Sequence, residues 1–311
     1  MQEGLTIVIP VRNRAKLIER TLNDIAGSAR LPRALIIVDN GSDDETLEVC
    51  RRWQEAHSTL DMTISVVEEE RAGAAIARNT GLSHVQTEWT YFFDSDDGFD
   101  TDFISEVTSG IDNAKTSGHE TDIVFVPSRQ EVNGTLQTRA YRRPLTVGVQ
   151  ILSAMLSTQS MLFRTQWLRD IGGWDEQLTT WDDWELGVRV AMHAPHILWL
   201  THRSFHVIHV HPDSLTGDSY ASRSDAILQA LRHVKDDVTH NIEGLRALYL
   251  RTQIVAGTLR QERSDDTAFR AFGQEILPSP SLWLKCLGTF IRLYTQIGGR
   301  GAWRLALMFI H

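Results

Sequence analysis

Cysteine is scarce in this chain. Only Cys50 and Cys286 occur in 311 residues. They lie far apart with no CxxC or Cys/His spacing, which excludes a disulfide framework and a cysteine-ligated zinc site. Two unpaired thiols fit a reducing cytoplasm. Positive charge is also in deficit, with 31 Lys and Arg against 40 Asp and Glu for a formal net charge of -9, so a nucleic-acid partner is not expected. No stretch reaches the roughly 18 uninterrupted apolar residues of a spanning helix. The opening "MQEG" passes directly into the apolar run Leu5 to Val11 without a basic region or a small-residue cleavage site. That run is expected to be a strand, and the protein is not expected to cross a membrane. Internal repeats and low-complexity linkers are missing as well. What remains is a globular composition, 42% hydrophobic, long enough for one large α/β domain with an extension or for two small domains.

Within that composition, apolar runs alternate with helical patterns. "LTIVIPV" precedes a helix from about Ala15 to Ala26, "ALIIVD" ends at Asp39, and "GSDDET" offers a helix start with Ser42 as N-cap and Glu45 in the capping-box position. A third strand, Thr63 to Glu68, leads to a helix from about Gly73 to Val85, and a fourth, Trp89 to Phe93, ends at an acidic cluster. This order predicts an α/β fold with a mainly parallel, Rossmann-like sheet covered by helices on both faces. Ligands in such sheets sit beyond the carboxyl ends of the strands, where Asp39 and Asp94 both fall. The pattern then loosens: a strand from Asp122 to Pro127, a hairpin around the Asn133–Gly134 turn, a strand near Ser160 to Arg164, and helices from Trp184 to His193 and from about Ala221 onward, interrupted at "LPSPS".

The acidic cluster is "YFFDSDDGFD", which places Asp94, Asp96, Asp97 and Asp100 behind an aromatic run. Crowded carboxylates are costly unless a cation or hydrogen-bond donors compensate them. In extended chain Asp94 and Asp96 share a face, and hard oxygen ligands suit Mg²⁺ or Mn²⁺ bridging a diphosphate. A calcium loop would want an acid or amide at Gly98, glycine at Phe99 and glutamate at Ser105, and all three fail. "TTWDDWELGVRV" carries Asp182, Asp183 and Glu185, which also suit the positive end of a helix dipole. "SFHVIHVHPDSLT" contains His206, His209 and His211, and alternation would put His209 and His211 on one face of a strand, open to reading as a metal pair or as a half-buried polar face. Trp174 in "GGWDE" is open to reading as core or as a sugar-stacking platform.

Taken in order, "IVIPVRNR", "IIVDNGSDDET", "RAGAAIARNTG", "FFDSDD", "IGGWDEQL", "WDDWELGVR" and "HVHPDSLT" resemble a family 2 glycosyltransferase of the GT-A fold over roughly Leu5 to Thr216. The resemblance implies that Pro10, Val11 and Arg12 line a nucleotide base pocket and that Asp39 accepts a hydrogen bond from uracil. The family more often shows two acids at Asp39 and Asn40 and an aromatic at Arg12, so this stretch leaves the base open. Arg71 and Arg78 fall near the base and diphosphate, although both also suit surface ion pairs. Asp94 and Asp96 match the family's DxD, with Ser95 between them, Asp96 as metal ligand and Asp97 beside the donor sugar. Asp183 matches the general base, with Asp182 in the usual Glu place. His211 approaches the diphosphate or metal, and Trp174 lies where donor and acceptor meet.

The resemblance therefore implies an inverting, Mn²⁺- or Mg²⁺-dependent transferase moving one sugar from a UDP-sugar to a saccharide or lipid-linked saccharide, in cell-envelope polysaccharide synthesis. Residues 1–216 are expected to form the catalytic domain, with 1–100 its nucleotide-binding half and 101–216 its acceptor half. Residues 217–311 are expected to be helical. No Asp or Glu occurs from Ser281 to His311, while Lys285, Arg292, Arg300 and Arg304 punctuate a Trp-, Leu- and Phe-rich segment. Peripheral attachment at the inner face of the cell membrane and packing on the domain or in a homodimer are both open. A sugar-1-phosphate nucleotidyltransferase would show a Gly-rich basic loop after the first strand, which "PVRNRAKL" lacks. A non-catalytic sugar-nucleotide-binding protein is the remaining rival.

Overall fold

The computed structural model describes residues 1–132, 135–209 and 219–310. A seven-stranded sheet contains β1 (Gln2–Val11), β2 (Ala34–Asp39), β3 (Thr63–Glu68), β4 (Thr87–Phe92), β6 (Ile123–Phe125), β9 (Met161–Arg164) and β10 (Ile197–Trp199). Its order is β10-β6-β9-β4-β1-β2-β3. β1 pairs in parallel with both β2 and β4, and only β9 runs antiparallel to its neighbours. The continuous apolar run of β1 reflects burial on both faces, with Leu5, Ile7, Val8 and Ile9 all in the core.

Helices α1 (Ile18–Ala26), α2 (Thr46–Ala56), α3 (Ala74–His84), α4 (Phe103–Thr116) and α6 (Thr165–Asp170) accompany this sheet. α1 buries Ile18, Leu22 and Ile25 at helical spacing. α3 approaches the strands at Gly81, where an added Cβ would lie 2.3 Å from Val8 and 3.2 Å from Val38. Only a residue without a side chain lets backbone and strand approach so closely.

A second sheet has the order β5-β11-β7-β8, from β5 (Gly98–Phe99), β7 (Ser128–Val132), β8 (Thr135–Thr138) and β11 (His206–Ile208). β7 and β8 form the expected hairpin; its Asn133–Gly134 turn lies outside the described residues. β11 pairs antiparallel to β5, with His206 opposite Phe99.

Packing divides the chain into two compact units. Both sheets belong to the first, which comprises residues 1–140, 156–179 and 195–210. The second gathers residues 141–155 and 180–194 with the C-terminal segment. It is helical: α5 (Val147–Ser153), α7 (Asp182–Met192), α8 (Ser224–Asp237), α9 (Ile242–Gln261), α10 (Thr267–Ile276), α11 (Leu282–Gln296) and α12 (Ala302–Leu307). α9 is its centre, touched by α5, α10 and α11. The "LPSPS" break separates α10 from α11, whose N-cap Ser281 accepts from the Leu284 N–H at 3.3 Å.

Candidate active site

The carboxyl ends of β1, β2 and β4 bring together several of the residues expected from sequence to bind a nucleotide. Val11 and Asp39 are direct neighbours across the β1–β2 ladder, and Arg12 just beyond is exposed. Asp39 is buried and accepts from the Ser42 backbone N–H at 3.1 Å and from its hydroxyl at 2.5 Å. Ser42 is thus not the N-cap expected from "GSDDET". α2 begins only at Thr46, whose backbone N–H and hydroxyl are held by Asp44. A strand-end carboxylate competes for Ser42 and wins.

Asn40, where the family more often has an acid, ties the neighbouring loops together. Its amide donates to the carbonyls of Glu69 and Arg71 at 3.2 and 2.7 Å, and its Oδ1 accepts from Gly73 N–H at 2.8 Å. A carboxylate could not make the two donations. Arg71 itself is exposed and paired with Glu69 and Glu176 at 2.8 and 2.9 Å. Hydrogen bonds from Arg71 and Thr80 pull the Glu69 carboxyl down to about 2.

Behind β4 the backbone turns at once, the Asp97 N–H donating to the Asp94 carbonyl at 3.3 Å. The pairing of Asp94 with Asp96 therefore arises from a turn rather than from the alternation of an extended strand. Alternation does govern the aromatics before it: Tyr91 and Phe93 face His206, while Phe92 lies edge-on to Trp174. Two side chains of α1 grip the turn from below. Arg20 donates to the Asp96 carbonyl at 2.6 Å, and Thr21 donates to the carbonyls of Ser95 and Asp97 at 3.0 and 3.1 Å.

The four acids of this cluster then have different surroundings. Asp94 is oriented from two sides, accepting from Arg78 at 3.2 Å and from Gln159 at 2.6 Å. Asp96 faces Arg14 at 3.6 Å. Burial pushes the Asp96 carboxyl up, Asp94 and Asp97 push the same way, and Arg14 pulls against them. Asp97 is buried, 2.7 Å from His206 Nε2, and accepts from the His209 N–H at 3.1 Å. Burial raises its carboxyl and His206 lowers it. Asp100 binds Arg129 and Arg203, both at 2.7 Å.

Asp97 is accordingly an internal strut tying the loop to β11. Trp174 is a core residue, 2% exposed, beneath the Arg78 guanidinium at 5.8 Å. As a buried ring it is no open platform for a sugar, which corrects that reading. Gly172 and Gly173 at φ 93° and 65° make its turn, and the Asn79 side chain clamps both Trp174 N–H and C=O at 2.9 and 2.8 Å. Arg14, Arg20 and Gln159 escaped the sequence reading. Gln159 had no signal, since it reaches Asp94 only because β9 lies beside β4.

Among the described residues no three His, Cys, Asp or Glu side chains are grouped to hold a metal. Asp94 and Asp96 are in place, and His211 lies outside the described residues. The fit to a divalent cation rests on donor chemistry. Mg²⁺ and Mn²⁺ take one or two protein carboxylates and complete their shell with water and phosphate oxygens. Burial and the neighbouring Asp94 and Asp97 disfavour the ionised form of Asp96, which a nearby positive charge would favour.

Asp182 and Asp183 open α7 in the helical unit, both half-buried. The residue before them, Trp181, has φ 59° and ψ 20°, a left-handed conformation costly for a bulky side chain. Its ring is held by Trp184 at 5.1 Å, by Tyr220 at 5.9 Å and by the Arg251 guanidinium at 4.7 Å. Trp184 is anchored through its indole N–H to the Ile151 carbonyl at 3.1 Å. The third acid of the motif, Glu185, turns inward and pairs with Arg189. It is structural, so the motif's acids do not share one role.

Comparison with known proteins decides the family. The chain matches the family model described as Glycosyl transferase family 2 over residues 6–172. It belongs to glycosyltransferase family 2. The match spans Asp39, Arg71, Arg78 and the Asp94 to Asp100 cluster and stops short of Trp174, Asp182 and Asp183. The chain is 24% identical over 197 residues to a poly-beta-1,6-N-acetyl-D-glucosamine synthase of Staphylococcus aureus, covering 60% of this chain and 46% of that one. It spans less than half the length of the curated relatives it matches. Among solved structures, S. aureus TarS 1-349 superposes with a TM-score of 0.63 at 15% identity, covering 98% of this chain and 90% of that one. The mannosyltransferase PcManGT of Pyrobaculum calidifontis, in complex with GDP-Man and Mn²⁺, gives 0.58 at 20% identity, covering 99% and 87%. At such identities these two likenesses establish the fold alone, the mainly parallel GT-A arrangement with helices following it.

Proposed function

We propose that this protein transfers a single sugar from a UDP-sugar to a hydroxyl of a saccharide or lipid-linked saccharide, with inversion, in cell-envelope polysaccharide synthesis. The observation that carries the reading is the turn after β4, where Asp94 is oriented by Arg78 and Gln159 beside a crowded Asp96. Support for the donor class comes from TarS, solved in complex with UDP-GlcNAc, and from PcManGT with GDP-Man. The polysaccharide setting is supported by the poly-N-acetylglucosamine synthase relative.

Asp96, with Asp94, would hold the divalent cation, whose chemistry when bound is to neutralise negative charge on the leaving diphosphate. The chain's own groups do the rest. Asp39 keeps acceptor capacity beyond its two bonds from Ser42, since a carboxylate offers about four lone-pair sites, and receives the N–H of the base. Arg78 fixes Asp94. Asp183 takes the proton of the acceptor hydroxyl as its oxygen attacks the anomeric carbon, and Asp182 stands beside it. One displacement inverts the centre.

Assay of UDP-sugars tests this directly. Mn²⁺-dependent hydrolysis is expected and should vanish in Asp96→Ala. Asp183→Asn should lower transfer to an acceptor by about 10²–10⁴-fold while donor binding is kept. Tight UDP binding with no turnover of any donor would sink the transferase in favour of a binding protein.

A further inference from the structure

Helix α11 is apolar on two opposite faces. Leu284, Gly288, Ile291 and Thr295 are buried, on the side that meets α9, where the Arg292 carbonyl would lie 2.5 Å from a Cβ on Gly257. On the other side, at about 100° per residue, Leu282, Trp283, Cys286, Phe290, Leu293 and Ile297 fall within an arc of roughly 100°. All six are exposed, Leu282 at 79% and Ile297 at 83%. The Trp283 ring meets Phe309 at 5.5 Å, and Met308 beside it is 69% exposed, so the strip continues past α12. Seven of the eleven large hydrophobic side chains exposed among the described residues lie between Leu282 and Phe309. Apolar side chains scattered singly need no explanation, whereas a contiguous strip does.

Charge identifies what covers it. The segment from Ser281 carries four Lys and Arg and no acid, leaving 27 Lys and Arg against 40 Asp and Glu in the rest of the chain. Lys285 and Arg292 share one flank of the strip at helical spacing, and exposed Arg300 and Arg304 stand near its end. A second copy seated on the same face would bring these cations together with no acid of the segment to meet them. We propose that this face of α11 and α12 docks on an anionic bilayer surface, its apolar strip in the interface and its cations at the headgroups. Among the described residues no helix is long and apolar enough to cross a membrane, and the proposed contact of α11 and α12 is with the bilayer surface. The inference does not rest on glycosyl transfer and can fail or hold without it.

The full chain is mixed with phosphatidylcholine vesicles, with or without phosphatidylglycerol, and sedimented. Binding to the anionic vesicles is expected, weakening with salt. Lys285→Glu/Arg300→Glu and Phe290→Ser/Leu293→Ser should each weaken it by at least about tenfold without changing melting temperature or UDP binding. Cys286 supplies a second readout, because Cys50 is buried: a polarity-sensitive fluorophore on Cys286 should shift to the blue on vesicle addition. Absence of binding to anionic vesicles overturns the proposal, as does binding that neither double substitution weakens. A concentration-dependent dimer that Phe290→Ser/Leu293→Ser dissolves, with vesicles capturing neither protein, assigns the face to a second copy instead.

Discussion

Asp97 and His206 show how a residue in an acidic motif can serve the fold. The pair is almost fully enclosed, with side-chain exposures of 3% and 0%, and the other ring nitrogen of His206 meets the Tyr91 hydroxyl at 2.5 Å. Leaving a buried carboxylate without its partner is among the costlier single changes a protein can suffer. His206→Leu should therefore lower unfolding stability by about 3–5 kcal/mol, measured by urea denaturation. Its effect on donor binding should follow from displacement of the loop and not from a lost contact to the sugar. The aspartates were legible as a cluster because four acids stand in seven residues. Their division of labour was not, because it depends on which cation or donor each one meets. Arg14, Arg78 and Arg20 arrive from elements distant in the chain.

Among the elements, the helix–strand alternation was legible because parallel strands buried on both faces write continuous apolar runs. β2 and β3 fall where those runs predict them. The starts of α1 and α2 fall later than predicted; at α2, Asp39 takes up the Ser42 hydroxyl that would have capped the helix. Gly81 was silent in sequence and matters to α3. Gly81→Ala would force a methyl group against Val8 and Val38, and overpacking of this kind should cost about 1–3 kcal/mol, read from the urea midpoint.

In α8, Asp237 is exposed as a residue, yet its carboxyl is hemmed in beside Glu185. Partial burial of that carboxyl and the Glu185 charge push it up to about 6, against the pull of Arg189. A carboxyl raised on folding binds its proton more tightly in the folded state. The associated stability is present below the ordinary carboxylate range and is lost as pH rises through about 6. Asp237→Asn should thus gain in melting temperature over the parent as pH rises from 4 to 7, on the order of 1–3 °C for so accessible a group.

Across the whole molecule, binding to the native state raises apparent stability. UDP with Mn²⁺ at about a hundred times its Kd should raise the melting temperature by about 3–6 °C. UDP without the metal should do less, and Asp96→Ala should remove the difference. The net negative charge was legible from composition; its concentration outside the last helices acquires meaning only once α11 is seen to turn an apolar face outward.

Local order along the chain was enough to announce a parallel α/β sheet, a strand-end acidic cluster and membership of a glycosyltransferase family, because hydrophobic periodicity and motif spacing are properties of neighbouring residues. Which acid is a strut, which is oriented, and that Trp174 is core depended on packing between segments far apart in sequence, as with β9 beside β4 and β11 beside β5. Burial and ion pairing are set by what surrounds a side chain in space, and a linear pattern carries no record of that.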